Sequence, residues 1–178
     1  MRHPILMRSI AVAIVLGVGA GPLFAQTAPA KDAWAPLQFL LGTWTGEGSG
    51  EPGASGSGGS TFSVELDKRI LVRKNWANYP PKPGEKTGIS HEDLMVVYPA
   101  QTALRAIYFD NEGHVLNYVV SSPRQNAATF ESDAAQPGPR YRLTYELGKD
   151  GKLMIVFSMA APGQPFKEYT RGTAHRGK

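Results

Sequence analysis

Apolar and polar residues alternate along most of the chain after residue 42. The clearest case is the stretch 140–147, where Tyr and Leu alternate with Arg, Thr and Glu. Successive side chains of a strand point to opposite faces, so this pattern predicts strands with one buried face. Gly and Pro breaks separate about ten such stretches. The predicted strands begin at Thr43 and continue over 61–67, 70–79, 89–98, 103–110, 114–120, 127–133, 140–147, 153–159 and 166–175.

A short apolar run with helical spacing precedes the first strand. It predicts a helix over 33–41 capped by Asp32, with Trp34, Leu37, Leu40 and Leu41 on its buried face. Gly42 suits the left-handed residue that ends a helix, and Trp44 is expected to point inward as a core residue. The Gly/Ser-rich stretch 51–59 is predicted to be a flexible loop.

The tetrapeptide Asp110-Asn111-Glu112-Gly113 predicts a hairpin with Gly113 at positive φ. This turn fixes the register of the two flanking strands. One face then carries Leu104, Ala106, Tyr108, His114, Leu116, Tyr118 and Val120. The other face carries Arg105, Ile107, Phe109, Val115, Asn117 and Val119, and because neither face is plainly polar, the pattern leaves open which one is inside.

The connections between the predicted strands are short, and no helix long enough for a parallel crossover interrupts them. Neighbouring strands are therefore expected to be antiparallel. Closure of so many strands would remove the exposed edges. We predict an all-β fold, an antiparallel up-and-down barrel of about ten strands preceded by one short N-terminal helix; a two-sheet sandwich is the alternative.

The N-terminus has the three parts of a secretory signal: basic residues, an apolar run over 10–20, and small residues ending at Ala25. We predict a signal peptide over 1–25, a tether over 26–31 and a single domain over 32–178, located in the periplasm or secreted. The apolar run is too short for a membrane span, and the chain has no Cys. A net charge of only +4, with scattered basic residues, gives no reason to expect nucleic-acid binding.

Two motifs carry a resemblance to a known group, the Leu-Gly-Thr-Trp opening at 41–44 and Tyr-Phe-Asp-x-x-Gly-His at 108–114. With these motifs the chain resembles the lipocalin-like barrels, especially those of nitrobindin-like and fatty-acid-binding-protein shape, and uncharacterised secreted bacterial proteins with the same opening. The resemblance implies a barrel that holds a small molecule. In nitrobindin-like proteins a last-strand histidine binds haem. The last strand of this chain has Tyr169-Thr170-Arg171 in its middle and no histidine until His175 near its end, so we expect no cofactor and keep haem binding as an alternative function.

The predicted ligand is a small apolar or amphipathic molecule with an anionic end. Tyr169 and Arg171 are two residues apart, and on one inward face they would clamp a carboxylate or phosphate. Fatty-acid-binding proteins use a similar pair in the opposite order. Further candidate ligand contacts are Trp76, Tyr108, Tyr118, His91 and His114.

Two other classes of function compete with ligand binding. His91 and Asp93 share a strand face, and His114 lies on a nearby strand, which would suit acid–base chemistry or a metal site. An ordinary buried histidine bonded to a carboxylate explains the same residues, and we assign no catalytic residue and no metal. A structural envelope protein with a filled interior and an outer apolar patch is the remaining alternative.

Overall fold

A computed structural model describes residues 33–49, 55–122, 124–133 and 138–177. The predicted signal peptide, the tether and Asp32 lie outside these ranges. No helix within them is long and apolar enough to cross a membrane. The elements are a 3₁₀ helix, Ala35–Leu40, followed by β1 Gly42–Ser49, β2 Ser55–Glu65, β3 Ile70–Tyr79, β4 Ile89–Pro99, β5 Leu104–Asp110, β6 Val115–Ser121, β7 Ala127–Ser132, β8 Arg140–Leu147, β9 Leu153–Ala160 and β10 Lys167–Arg176.

The ten strands form one closed antiparallel barrel in which every strand pairs with its neighbours in sequence. β1 closes the wall by pairing with both β2 and β10, so that Trp44 lies opposite Ser60 on one side and Arg176 on the other. The predicted all-β barrel is confirmed, and the sandwich is excluded by this closure. The space inside the wall is called the lumen below.

The 3₁₀ helix covers one end of the barrel, which we call the closed end. Leu37 and Leu40 are fully buried there. The inward-facing ring of Trp44 is also fully buried, and its Nε1 donates to the carbonyl of Leu40 at 2.7 Å. Arg176 donates to the carbonyls of Phe39 and Leu41 and stacks over Trp44, which ties the helix to the last strand. Trp44 therefore fills the core, as predicted.

Two predictions at the start of the chain are corrected. The helix is shorter than 33–41 and is of the 3₁₀ type, with i→i+3 bonds from Leu37 to Trp34 and from Leu41 to Gln38, because a run this short has only tertiary packing to hold it. The stretch from Ser55 to Gly59 belongs to β2 and is not a loop. Pairing with β1 and β3 on both sides outweighs its Gly/Ser-rich composition.

The hairpin between β5 and β6 forms as predicted. Gly113 has a φ of +91°, and Tyr108 pairs with Leu116 as the turn requires. The sequence did not decide which face of this hairpin is inside. Ala106 and Tyr118 are 1% and 2% exposed, so the face that carries them points into the lumen. The outer face carries Phe109, Val115 and Val119, which are exposed together with Leu94 of β4.

Candidate functional site

We call the end of the barrel opposite the helix the mouth. The odd-numbered strands run toward it. Inward-facing side chains near this end are only half-buried: Asn75, His91, Tyr108, Leu116, Tyr141, Ile155 and Phe157. Because the wall is closed, solvent reaches inward-facing side chains only through an end, so the lumen opens at the mouth.

Aromatic rings fill the inner part of the lumen. Edge-to-face contacts link Phe62, Tyr145, Phe130 and Tyr118 in turn, with ring centroids 5.5, 5.9 and 6.5 Å apart. Phe62 of β2 and Tyr145 of β8 belong to strands that are not neighbours in the wall, so their rings meet across the lumen, and all four rings are at most 3% exposed. Tyr118 makes a further edge contact with Tyr108 nearer the mouth, where the side chains are only half-buried.

A buried ion pair interrupts this apolar interior. Arg73 of β3 and Asp93 of β4 are 5% and 8% exposed. Nη2 of Arg73 donates to Oδ2 of Asp93 at 3.3 Å, and Nδ2 of Asn75 donates to the same oxygen at 2.8 Å. Ser60 completes the cluster by donating to Oδ1 of Asn75 at 2.7 Å. The opposite charges of Arg73 and Asp93 cancel. This pairing offsets the cost of burying each charge away from water.

Part of the hydrogen-bonding capacity of this cluster is unused. Nε and Nη1 of Arg73, Oδ1 of Asp93 and the hydroxyl of Tyr145 have no hydrogen-bond partner among the described residues. Nη1 lies 3.2 Å from Oδ1 of Asp93, within ion-pair distance but without the alignment of a hydrogen bond. Buried polar groups are nearly always hydrogen-bonded, so these four atoms are exceptions within the core.

A second polar chain leads from Asp93 to the rim of the mouth. Nε2 of His91 lies 3.5 Å from Oδ2 of Asp93 and 3.1 Å from the hydroxyl of Tyr108. That hydroxyl donates to Asp110 at 3.2 Å, and Asp110 accepts from Nδ1 of His114 at 2.9 Å.

These contacts set the charge states of the cluster. Burial lowers the pKa of Arg73, but Asp93 together with Tyr145, Tyr108 and Tyr118 outweighs burial, and the pKa is raised overall. Burial raises the pKa of Asp93, but Arg73, His91 and Asn75 hold that pKa below its ordinary value. Both members of the pair are therefore charged. Burial also raises the pKa of Tyr145 to about 12, so its hydroxyl keeps its proton.

His91 is held in its protonated form. Asp93 makes the largest contribution to the raised pKa of His91. Glu112, whose Oε1 lies 3.0 Å from Nδ1 of His91, adds to it. Together they outweigh burial and raise the pKa of His91 to about 9. At 3.5 Å the contact with Asp93 is long for a hydrogen bond, so we attribute its effect mainly to charge. A protonated imidazole at neutral pH cannot act as a general base or bind a metal ion.

Four of the predicted ligand contacts lie on or near the inner face. Tyr118 is buried in the wall, and Tyr108 and His91 are half-buried near the mouth. His114 lies on the rim with 59% of its side chain exposed. Hydrogen bonds link His114 to His91 through Asp110 and Tyr108, so within the predicted group of His91, Asp93 and His114 the direct contact is between His91 and Asp93.

The prediction for Trp76 is wrong. Arg73 and Asn75 point inward, so the next residue, Trp76, points outward by the alternation of β3. Its ring is 42% exposed and lies over Gly59, where a Cβ would come within 2.9 Å of Nε1 of Trp76. Trp76 therefore does not line the lumen.

The predicted clamp of Tyr169 and Arg171 does not form either. A β-bulge shifts the register of β10 between Glu168 and Thr170, and the extra residue breaks the two-residue alternation. The ring of Tyr169 makes an edge contact with Phe157 on the inner side, with centroids 6.2 Å apart. Arg171 instead lies outside, where Nη1 donates to Sδ of Met154 and Nε to Glu168.

Arg73 and Tyr145 were missed as site residues by the sequence analysis. Arg73 follows Ile70-Leu71-Val72, and its position shares the side of Leu71, so a charge on the inward side of an apolar strand was the available signal. A charged residue at such a position needs a buried partner, and Asp93 is on the neighbouring strand. Tyr145 gives no signal from sequence, because a tyrosine on an apolar face usually just fills the core.

The inner face does not fit the haem ligation of nitrobindin-like proteins. The inward positions of β10 include Thr170, Gly172, Ala174 and Arg176, none of which offers an imidazole or a thiolate, and His175 pairs with Thr45 on the outer face. Within the described ranges, no group of three or more His, Asp or Glu side chains is placed to hold a metal ion.

Comparison with known proteins supports the fold. Neither a model of a protein family nor a curated protein sequence matches this chain. The fold is similar to the crystal structure of Rv2717c from M. tuberculosis, with a TM-score of 0.60 and 17% sequence identity over 85% of this chain and 99% of that chain. At this identity the likeness shows a common lipocalin-like barrel shape and carries no function.

Proposed function

We propose that this protein binds a small, largely apolar molecule among the inward-facing side chains at its mouth. The observation that carries the proposal is a closed wall whose inward-facing rings Tyr108, Tyr141 and Phe157 are only half-buried at that end. Small-molecule sites are typically concave and mostly apolar, with a few fixed polar groups. Export to the periplasm or the medium, based on the signal-like segment 1–25, is part of the proposal.

An anionic end is no longer part of this proposal. It depended on Tyr169 and Arg171 sharing the inner face, and the bulge in β10 places Arg171 outside. The apolar part of the ligand would contact Leu116, Ile155 and Phe157, which are half-buried and face inward. The proposal therefore rests on the apolar contacts at the mouth alone.

The test compares two neighbouring residues of β6 that face opposite ways. Leu116→Trp adds bulk inside the lumen, whereas Val115→Trp adds the same bulk on the outer face. Titration with the neutral apolar dye Nile red is expected to show saturable binding to the wild type and to Val115→Trp, and at least about tenfold weaker binding to Leu116→Trp. Equal affinities in all three proteins, or no binding to the wild type, would overturn the proposal.

A second measurement looks for the natural ligand. Protein purified from its own host and examined by native mass spectrometry is expected to carry a small molecule as added mass. Denaturation should release that mass, and Leu116→Trp should carry less of it than Val115→Trp.

A further inference from the structure

We propose that the outer face of the wall around β4, β5 and β6 is the interface of a symmetric dimer, in which a second copy of this chain covers an exposed apolar patch. The inference goes beyond ligand binding and does not depend on it. It is carried by the exposure of this face, by the register of its strands and by two charged residues at its edge.

The exposed apolar side chains of the barrel are gathered on one side. Of the eight large apolar side chains that are exposed within the described residues, five point outward from β3 to β6. We call these five the outer patch: Trp76, Leu94, Phe109, Val115 and Val119, which are between 36% and 58% exposed. The outward positions of β8 are polar by contrast: Arg140, Arg142, Thr144 and Glu146. An apolar patch on an otherwise polar surface marks an interaction site.

The register of the strands makes the outer patch continuous. Leu94 lies opposite Phe109, and Phe109 lies opposite Val115, so three strands carry one apolar row. Two residues farther along the strands, the half-buried side chains of Val96 and Ile107 continue this row toward the closed end. Side chains that are neighbours across strands in this way contact one another and form one surface.

The middle of the outer patch can be covered without burying a free charge. Arg105, which lies opposite Val119, already forms an ion pair with Asp133 of its own chain. Asn117, which lies opposite Ile107, is polar but neutral. Depletion of free charge at the centre is typical of protein interfaces, because an unpaired charge loses its hydration when a partner covers it.

A twofold axis fits the arrangement of the outer patch. In a symmetric dimer both copies use the same patch, so a residue on the axis meets its own copy and a residue off the axis meets the one on the other side of it. One diagonal line across β3 to β6 passes through apolar side chains alone: Trp76, Leu94, Ile107 and Val119. With the axis along this line, these side chains pack against their own copies, and Phe109 packs against Val96 of the second copy.

Two charged residues beside this line identify a second copy as the partner. Lys74 lies opposite Leu94, and Glu92 lies opposite Trp76, so the two charges stand on either side of the axis. Both side chains are exposed, and neither forms an ion pair within the described part of the chain. The axis sets Lys74 of each copy against Glu92 of the other, which gives two ion pairs between the copies.

Sedimentation equilibrium of protein purified from its own host tests the dimer. We expect the wild type to have twice the mass of one chain at about 100 μM and to dissociate on dilution. Phe109→Lys places a charge in the outer patch and should weaken association at least about thirtyfold. Thr173→Lys introduces the same charge at an exposed outward position of β10, on the opposite side of the barrel, and should leave association unchanged.

A mixing experiment tests the pairing of Lys74 with Glu92. Lys74→Glu brings carboxylates together between two copies, and Glu92→Lys brings ammonium groups together, so each variant alone should associate at least about tenfold more weakly than the wild type. In an equimolar mixture, the new carboxylate of one variant meets the new ammonium group of the other, and association should return to the wild-type strength. Contacts within each chain are the same with and without mixing, so this recovery can come only from contacts between copies.

Three results would overturn the inference. A wild type that stays monomeric at about 100 μM would show that no second copy covers the outer patch. A dimer that Phe109→Lys leaves intact would have its interface on another face. Charge variants that associate as the wild type does, or that do not recover on mixing, would show that Lys74 and Glu92 do not meet across a twofold axis.

Discussion

At the scale of single residues, the inner cluster shows how charge is kept inside a small barrel. Asp93 is shared by Arg73, Asn75 and His91, so one carboxylate stabilises two cations. Each member depends on the others, because removing one leaves a buried charge uncompensated. The raised pKa of His91 depends on this arrangement. A measurement that is sensitive to the titration of His91 therefore tests whether the arrangement forms.

His91 makes the folding stability depend on pH. Its pKa is raised from 6.5 to about 9 in the folded protein, so its contribution is fully present below pH 6.5 and is lost as the pH rises through about 9. The free energy of unfolding in urea is expected to fall by about 1–3 kcal/mol between about pH 6 and about pH 10.

His91→Gln should remove most of this dependence. His175→Gln on the outer face serves as the matched control and should retain it. A wild-type curve that is flat over this range, or an equal effect of both substitutions, would contradict the assigned role of His91.

The residue scale also shows where reasoning from alternation failed. Alternation correctly placed Tyr108 and Tyr118 on one face, because β5 and β6 pair without interruption. It failed at Tyr169 and Arg171, where the bulge in β10 inserts a residue. Nothing in the local sequence marks that bulge, since it adjusts β10 to its partner β9.

At the scale of elements, β2 shows how pairing outweighs composition. Its first half is rich in Gly and Ser, which favours a loop, yet β1 and β3 pair with it on both sides. Glycine is required there because the neighbouring strands approach too closely for a side chain. A Cβ on Gly58 would lie 2.8 Å from the carbonyl oxygen of Trp76 in β3.

Gly58→Ala therefore distinguishes a strand from a loop by the sign of its effect. In a strand packed this closely, the substitution is expected to destabilise the protein by about 1–3 kcal/mol. In a flexible loop, the same change would be neutral or stabilising by about 0.4–1 kcal/mol. Chemical denaturation gives the answer, with the exposed neighbour Ser57→Ala as a control expected to change stability by less than about 0.5 kcal/mol.

At the scale of the whole molecule, closure decides what the lumen can hold. The 3₁₀ helix and Trp44 fill the closed end, and the half-buried residues lie toward the mouth. The inward side of β10, with Thr170, Gly172, Ala174 and Arg176, carries no imidazole or thiolate. The last strand of this barrel therefore lacks the inward histidine that holds haem in nitrobindin-like proteins.

An absorbance scan of the intact protein tests whether it binds haem. Protein purified from its own host is expected to show no Soret band, either as isolated or after addition of haem. A Soret band that shifts in His91→Gln would instead show that haem enters through the mouth and binds there.

Local pattern was enough to predict most of the strands, their antiparallel order, the 110–113 turn, the inward Trp44 and the all-β class, because these depend on alternation and on short-range turn chemistry. The choice of a closed barrel over a two-sheet sandwich was made only by the tertiary structure. Only the tertiary structure decided which face of β5 and β6 lies inside, that β2 begins at Ser55, and that Arg73 meets Asp93 near Tyr145. These features depend on contacts between strands distant in sequence and on one bulge, and a single strand's pattern carries no information about its partner's register.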